Sequence, residues 1–271
     1  MPTLRVISWN TANRKKRAQD QVGSLISRSP DLVTLQEVTH NTADILSESL
    51  KGGGLIHTSF SEPIDGPKSR SYGVLIASRF PFKPLSPLPV PWPEKVMSVI
   101  LSINDTNVEL HTAHIPNGSN NGLIKIETLE GVYSGLAKKS TTPRILTGDF
   151  NSPKQELVSG EVITWGQKVN SSGKVRIAVN PKWKDECTGE RWDLAERNII
   201  ENHTNLDMKD VFRSQHGYEK ESFSWFTNKG VGRRYDHIFC SSNMRVDNVF
   251  YDQEPRTRKI SDHSPLIAEL G

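Results

Sequence analysis

Nine short apolar runs with strand-like alternation are spaced through the whole chain, while only three segments carry a helical period, so the fold must be built from sheets. The runs are Leu4–Trp9, Leu32–Gln36, Gly73–Ala77, Val96–Ile103, Val108–His114, Arg144–Thr147, Tyr235–Cys240, Val246–Tyr251 and Pro265–Leu270. The helical segments are Lys16–Ser29, Asn41–Leu50 and Leu123–Lys138; in the first, Ala18, Val22, Leu25 and Ile26 share a face and Pro30 stops it. Glycine and proline are scattered as punctuation, without a repeat or a linker. The expected class is α+β: two packed, mainly antiparallel sheets flanked by helices, a four-layer α/β/β/α sandwich. A chain of 271 residues could hold two average domains. The even spread of segments favours a single domain over 1–271, with an insertion or elaboration at about 153–205. That stretch sets Trp165, Trp183 and Trp192 among polar residues, and its local fold does not follow from pattern.

Polar residues collect where the strands end. Asn10 follows the first, Glu37 the second, His114 closes the fifth, Asp149 and Asn151 follow the sixth, Asp236 opens the seventh, and Asp262-His263 precede the last. Singly, each has a plain structural reading as a turn former, a solvated carboxylate or a satisfied histidine. Together, Asn10, Glu37, Asp149, Asn151, Asp236 and Asp262 make an oxygen-donor set that suits a hard cation such as Mg2+. Zinc fits less well, because the histidines form no H-E-x-x-H motif and Cys187 and Cys240 are far apart. A cation, an Asp/Asn pair to position water and a histidine beside an aspartate are the parts required to hydrolyse a phosphoester.

The strings Ser8-Trp9-Asn10, Leu35-Gln36-Glu37, His114-Ile115-Pro116-Asn117, Gly148-Asp149-Phe150-Asn151, Arg234-Tyr235-Asp236 and Ser261-Asp262-His263 occur in the order found in the endonuclease/exonuclease/phosphatase superfamily, which the chain resembles. The resemblance implies a sandwich of two sheets flanked by helices and a metal-dependent phosphoester hydrolase. It implies Glu37 as the principal Mg2+ ligand, with Mn2+ the alternative ion and Asn10 and Asp262 completing or supporting the site. Asp149 and Asn151 would position water and the scissile phosphate. His263, oriented by Asp236, would contact a phosphate oxygen or move a proton.

Within that superfamily the chain looks most like the exonuclease III and abasic-site endonuclease branch, through the loop around Asn117, an implied phosphate contact, and the pair Trp225 and Phe226, which resemble the aromatics of an abasic-sugar pocket. It departs from the branch in four places. His114 stands where the branch has tyrosine and resembles pancreatic-type deoxyribonucleases, where it would act as a further acid/base or phosphate donor. Ala12 and Val38-Thr39 replace an acidic or amide side chain and a lysine, and Arg233 stands where a bulky apolar wedge is usual.

Lys and Arg number 34 against 31 Asp and Glu, a net charge of +3 that excludes binding by bulk charge but permits a local basic face. Arg14 to Arg17, Lys68, Arg70, Lys229, Arg233, Arg234, Arg256, Arg258 and Lys259 all lie on segments entering or leaving the motifs, and Arg70, Arg233 and Arg234 are expected to grip substrate phosphates. DNA is therefore the expected partner, in abasic-site, 3′-5′ exonucleolytic or less selective endonucleolytic cleavage of the kind used in DNA repair. A small or lipid-linked phosphoester such as an inositol phosphate is the alternative. No membrane and no obligate protein partner are indicated: apolar runs such as Val74–Ala77 fall far short of about 18 residues. The N-terminus lacks signal-peptide character and an intracellular, cytoplasmic protein is expected.

Overall fold

The computed structural model describes residues 3–63, 71–119, 122–180, 183 and 186–271. The chain opens with β1 (Leu4–Asn10), α1 (Ala18–Ile26), β2 (Leu32–Val38) and α2 (His40–Gly52). It continues through β3 (His57–Phe60), β4 (Gly73–Ser78), β5 (Phe82–Pro84), β6 (Val96–Ile103), β7 (Thr106–His114), α3 (Gly122–Leu136) and β8 (Arg144–Asp149). Two short ladders follow, β9 (Gln155–Glu156) with β10 (Val162–Ile163) and β11 (Gln167–Val169) with β12 (Val175–Ile177), and then α4 (Gly189–Ile200). The last part holds β13 (Met208–Asp210), α5 (Val211–His216), the hairpin β14 (Trp225–Phe226) and β15 (Gly232–Arg233), then β16 (Asp236–Ser241), β17 (Val246–Tyr251), α6 (Glu254–Thr257) and β18 (Leu266–Leu270). No described helix is long and apolar enough to cross a membrane.

Two six-stranded mixed sheets form, in the orders β17-β18-β1-β2-β4-β3 and β13-β16-β8-β7-β6-β5. Most neighbours are antiparallel; β1 with β2 and β7 with β8 are parallel. Because side chains alternate along a strand, each strand feeds two different cores. Leu4 and Val6 of β1, Leu32 of β2, Leu110 of β7, Ile145 of β8, Ile238 of β16 and Leu266 of β18 pack between the sheets. The intervening Ile7, Trp9, Val33 and Leu35 face α1 and α2, while Ala113, Leu146 and Phe239 face α3 and α4. This is the expected four-layer sandwich.

The stretch 153–205 is woven into the second outer layer. Trp192, Ala195, Ile199 and Ile200 of α4 join the core shared with α3. A signal for this helix was present in the sequence: Thr188 caps it by accepting a hydrogen bond from the Arg191 N–H at 3.2 Å, and Trp192, Ala195 and Ile199 recur at helical spacing. The first helix is shorter than its periodicity suggests, since residues Lys15–Arg17 form a 3-10 turn before it.

Candidate active site

The alternation that builds the core also builds the site. Asn10 lies on the same side of β1 as Leu4 and Val6, His114 follows Leu110 and Thr112 on β7, Asp149 follows Ile145 and Thr147 on β8, and Asp236 precedes Ile238 on β16. All four therefore point into the seam between the sheets, at the end where β1, β7 and β8 terminate and β16 begins. Pairing aligns them: His114 stands opposite Asp149 across β7 and β8, and Asp236 opposite Asp149 across β16 and β8. Between the site and the apolar seam lies a hydroxyl and amide layer, with Thr34 and Thr147 Oγ1 atoms 2.9 Å apart and Gln36 reaching Thr112 at 3.3 Å.

Local backbone geometry turns two further groups inward. Glu37 adopts φ 55° and Asn151 φ 48°, left-handed conformations that break strand alternation; for Glu37 this costs about 1 kcal/mol or more. Gly148, with φ 144°, lies so close to β7 that a Cβ would stand 1.9 Å from the Ala113 carbonyl oxygen, which explains why glycine precedes Asp149. Trp9 Nε1 donates to the His263 carbonyl at 2.9 Å and Ser261 Oγ to the Asn10 carbonyl at 2.7 Å, which ties the final loop to β1.

Asn10, fully buried, fixes both carboxylates. Its Oδ1 accepts from the Ala12 N–H at 2.8 Å, so its amide nitrogen faces inward and donates to Glu37 Oε1 at 3.1 Å and Asp149 Oδ2 at 2.8 Å. Asn10 thus supports the acidic cluster, with its oxygen turned to the Ala12 N–H. His263 Nδ1 lies 2.7 Å from Asp236 Oδ2, and its Nε2 faces Asp149 Oδ2 at 3.8 Å. His114 Nε2 is 3.8 Å from Glu37 Oε1.

Burial would depress the charge on His263, but Asp236 and Asp149 overcome it and raise its pKa to about 10. His114 is driven the other way, well below the ordinary range, by burial and by the charges of Lys95 and His263. The site therefore holds one imidazolium and one neutral imidazole. Burial and the neighbouring Asp236 push the Asp149 carboxyl up to about 7, and burial raises Glu37 although His263 opposes it. Asp262 raises Glu37 further from the exposed lip. Carboxylates crowded at this depth fit a divalent cation, since the ion would relieve the cost of their charge. Glu37 and Asp149, with His114, offer ligand atoms within 4.8 Å of one another, as do Asp149, Asp236 and His263.

The site opens into a cleft of about 580 Å3 lined by Glu37, His114, Asn117, Asp149, Asn151, Trp225, Asp262 and His263. Asn151 has its amide bound to the Ile115 carbonyl at 2.9 Å. Trp225 stacks on Tyr235, with centroids 5.5 Å apart and planes inclined by 21°, and its Nε1 is 3.4 Å from Asp262 Oδ2.

Three expected substrate contacts stand elsewhere. Phe226, the next residue along the hairpin, packs instead on Phe223 and beneath Arg256, whose guanidinium is 4.2 Å from the ring centroid. Arg234 is buried and ion-paired to Glu156 at 2.6 Å and Asp210 at 2.8 Å, so it is structural and unavailable to a phosphate. Arg233 lines a separate cavity of about 240 Å3 with Lys154. Arg70, like Lys68, lies outside the described residues.

The described cations that line the cleft are two that sequence reasoning missed, Lys95 and Lys125. Lys95 is buried, donates to the Tyr72 carbonyl at 2.7 Å and lies over that ring. Its signal was the hairpin: pairing back from the turn at Asn104-Asp105 sets Val96 against Ala113 and so brings Lys95 beside His114. Lys125 is paired to Glu196 at 2.9 Å and holds the Asn151 carbonyl at 2.8 Å.

The sequence matches the profile of the Endonuclease/Exonuclease/phosphatase family over residues 7–263. Among curated proteins no match was found. Solved structures share the fold. An AP endonuclease from Archaeoglobus fulgidus is 22% identical, with TM-score 0.70 and 98% of each chain covered. A 3′ phosphatase from Neisseria bound to product DNA hairpin is 21% identical, with TM-score 0.65 and 99% of each chain covered. TDP2 from D. rerio, complexed with single strand DNA product, is 16% identical with TM-score 0.64, and both chains are covered in full (100%).

Proposed function

The chain belongs to the endonuclease/exonuclease/phosphatase family, whose members are metal-dependent phosphoester hydrolases, and on that premise we propose that it hydrolyses phosphodiester bonds of a DNA backbone. The observation that carries this reading is the meeting of the His263–Asp236 pair, at 2.7 Å, with Asp149 and Glu37 at the mouth of one cleft. DNA products are also named for two of the structures that share the fold, the TDP2 and 3′ phosphatase complexes, and another is an AP endonuclease.

A divalent ion, Mg2+ or Mn2+, held by Glu37 with Asp149 and Asp262 at hand, would neutralise charge on the phosphate. The chain's own groups do the rest. The His263 imidazolium donates from Nε2 to a non-bridging phosphate oxygen, and Asp236 keeps it charged and oriented. Asp149, whose Oδ2 lies 3.8 Å from His263 Nε2, is placed to accept the proton of an attacking water. Asn151 and Asn117 fix the phosphate, and neutral His114 supplies a further hydrogen bond. Lys95 adds positive charge behind Glu37 and His114.

An inositol phosphate is a poorer fit. Several phosphates on one small ring require several unpaired cations, whereas of the cleft's two described lysines Lys125 is already neutralised by Glu196.

Purified protein with Mg2+ should cleave one or more of an abasic duplex, an intact duplex and single-stranded DNA, with RNA and inositol phosphates as comparison substrates. Glu37→Ala and His263→Ala should abolish turnover. Turnover confined to inositol phosphates refutes the reading, and activity surviving both substitutions refutes the site.

A further inference from the structure

We propose that the cleft binds an unpaired nucleobase next to the scissile phosphate, stacked on an aromatic wall formed chiefly by Trp92, Trp165 and Trp225. This inference rests on the nucleic-acid reading and names the form of substrate that the site takes.

Of the six tryptophans, five line this one cleft, and the sixth, Trp9, is fully buried in the core. They arrive from separate parts of the chain: Trp92 before β6, Trp165 and Trp183 from the stretch between β8 and α4, Trp192 from α4, and Trp225 from the β14 hairpin. Trp192 is the buried floor, with Nε1 bound to Glu196 at 2.7 Å and Lys125 over its ring. Trp92, Trp165, Trp183 and Trp225 are only half-buried. A set of large aromatic side chains left partly open around one concavity marks a binding surface, because covering it removes apolar area from water.

Two of these rings are held by the loops that carry the chemistry. Trp165 Nε1 donates to the Asn151 carbonyl at 3.1 Å, and Trp225 Nε1 is directed at Asp262 at 3.4 Å. Those tethers stop the indoles from withdrawing into the core. The cleft is continuous from Asp149 and His263 to Trp165, so a phosphate seated at His263 leads its substituent over that wall.

Planar aromatic surface is matched by a planar partner. A base within a duplex has both faces covered by its neighbours, and only an unpaired, unstacked base presents a face to an indole. A base-free sugar lacks the planar π-face that stacks on such a wall, and one face of Trp225 is already covered by the ring of Tyr235. Thr227 supplies a polar group at the edge for the rim of a base without demanding one sequence.

Binding is read by tryptophan fluorescence in EDTA, where no strand is cut and the carboxylates oppose every oligonucleotide equally. The probes are a single-stranded DNA pentamer, a pentamer of tetrahydrofuran abasic residues, and a short duplex of the same sequence. The base-bearing strand is expected to quench the signal and bind ~10-fold tighter than the base-free strand, a ratio within reach of one base–aromatic stack. That ratio should collapse to within about twofold in Trp165→Leu and persist in Trp165→Phe. Trp92→Leu gives the second reading, so the test survives if Trp165→Leu fails to fold. Equal affinity for base-bearing and base-free strands, tighter binding of the duplex, or a ratio unchanged in the folded leucine variants overturns the proposal. A base preference in protein that cleaves no oligonucleotide with Mg2+ sinks the hydrolytic reading alone; cleavage without a base preference sinks this one alone.

Discussion

Asp236 gives one oxygen to His263, at 2.7 Å from Nδ1, while its other oxygen, Oδ1, has no hydrogen-bond partner although the residue is fully buried. A buried carboxylate committed to a single imidazole is an arrangement that holds charge on that ring. It also leaves nothing else to hold the ring if the carboxylate is lost.

Asp236→Asn should therefore lower turnover by about 10²–10⁴-fold while leaving the fold intact. His263, raised to about 10 against an ordinary 6.5, gives no loss of activity from its own titration between pH 7 and 9 in the parent protein. In the variant a new decline should enter at neutral pH. The raised pKa also means that this pair stabilises the fold fully below pH 6.5 and that the contribution is lost as pH rises through about 10. A pH–rate profile of both proteins tests the first point, and a variant profile that simply runs parallel to the parent contradicts it.

Asp149 works in the opposite sense for stability. Its carboxyl is raised from 3.8 to about 7, so its contribution to stability is present below pH 3.8 and lost as pH rises to about 7 in ion-free protein. Divalent cation should restore stability above that range, raising the melting temperature more at pH 8 than at pH 5. At a concentration of 100 times Kd the gain is about 2.7 kcal/mol. Calorimetric titration should show Mg2+ or Mn2+ affinity falling about fivefold as pH drops from 7 to 6, because proton and cation compete. A pH-independent affinity would exclude Asp149 from the ion site.

Lys125 and Glu196 are both buried, and together they bridge α3 and α4 beneath Asn151. Lys125→Met removes one charge and strands the other, which should destabilise the protein by about 3–5 kcal/mol in urea unfolding. The double variant Lys125→Met/Glu196→Leu should recover only part of that loss, because Trp192 Nε1 loses its acceptor, while turnover stays low because the Asn151 carbonyl has lost one of its two donors. Full recovery of turnover would make the pair purely structural.

Two glycines separate close approach from helix propensity. Gly148→Ala places a Cβ against the Ala113 carbonyl oxygen and should cost at least about 2 kcal/mol as well as displacing Asp149. Gly23, exposed within α1 and with open space around it, should instead stabilise the fold by up to ~1 kcal/mol on replacement by alanine. Paired denaturation curves test both signs.

Strand positions and the acidic cluster were legible because both follow from local rules. β6 and β17 have the boundaries that alternation predicts, and Asn10, His114, Asp149 and Asp236 stand at strand ends that period-two reasoning already marks, whereas Glu37 leaves the alternation and His263 lies on the loop before β18. The fate of the arginines was not legible. Arg233 and Arg234 are neighbours in one basic run, yet Arg234 is absorbed by Glu156 and Asp210, and Arg233 faces another cavity. Charge along a sequence says nothing about which partner a fold brings near.

The two-sheet sandwich, and the inward aim of Asn10, His114, Asp149 and Asp236, follow from alternation and strand ends, which are properties of the chain. Folding sets the rest: the His263 pKa is raised by Asp236 and Asp149 and the His114 pKa lowered by burial, Asn10 turns its nitrogen to the carboxylates, and tryptophans between Trp92 and Trp225 meet at one cleft. Those outcomes depend on burial and on contacts between residues far apart in the chain, and both come into being only when the sheets close.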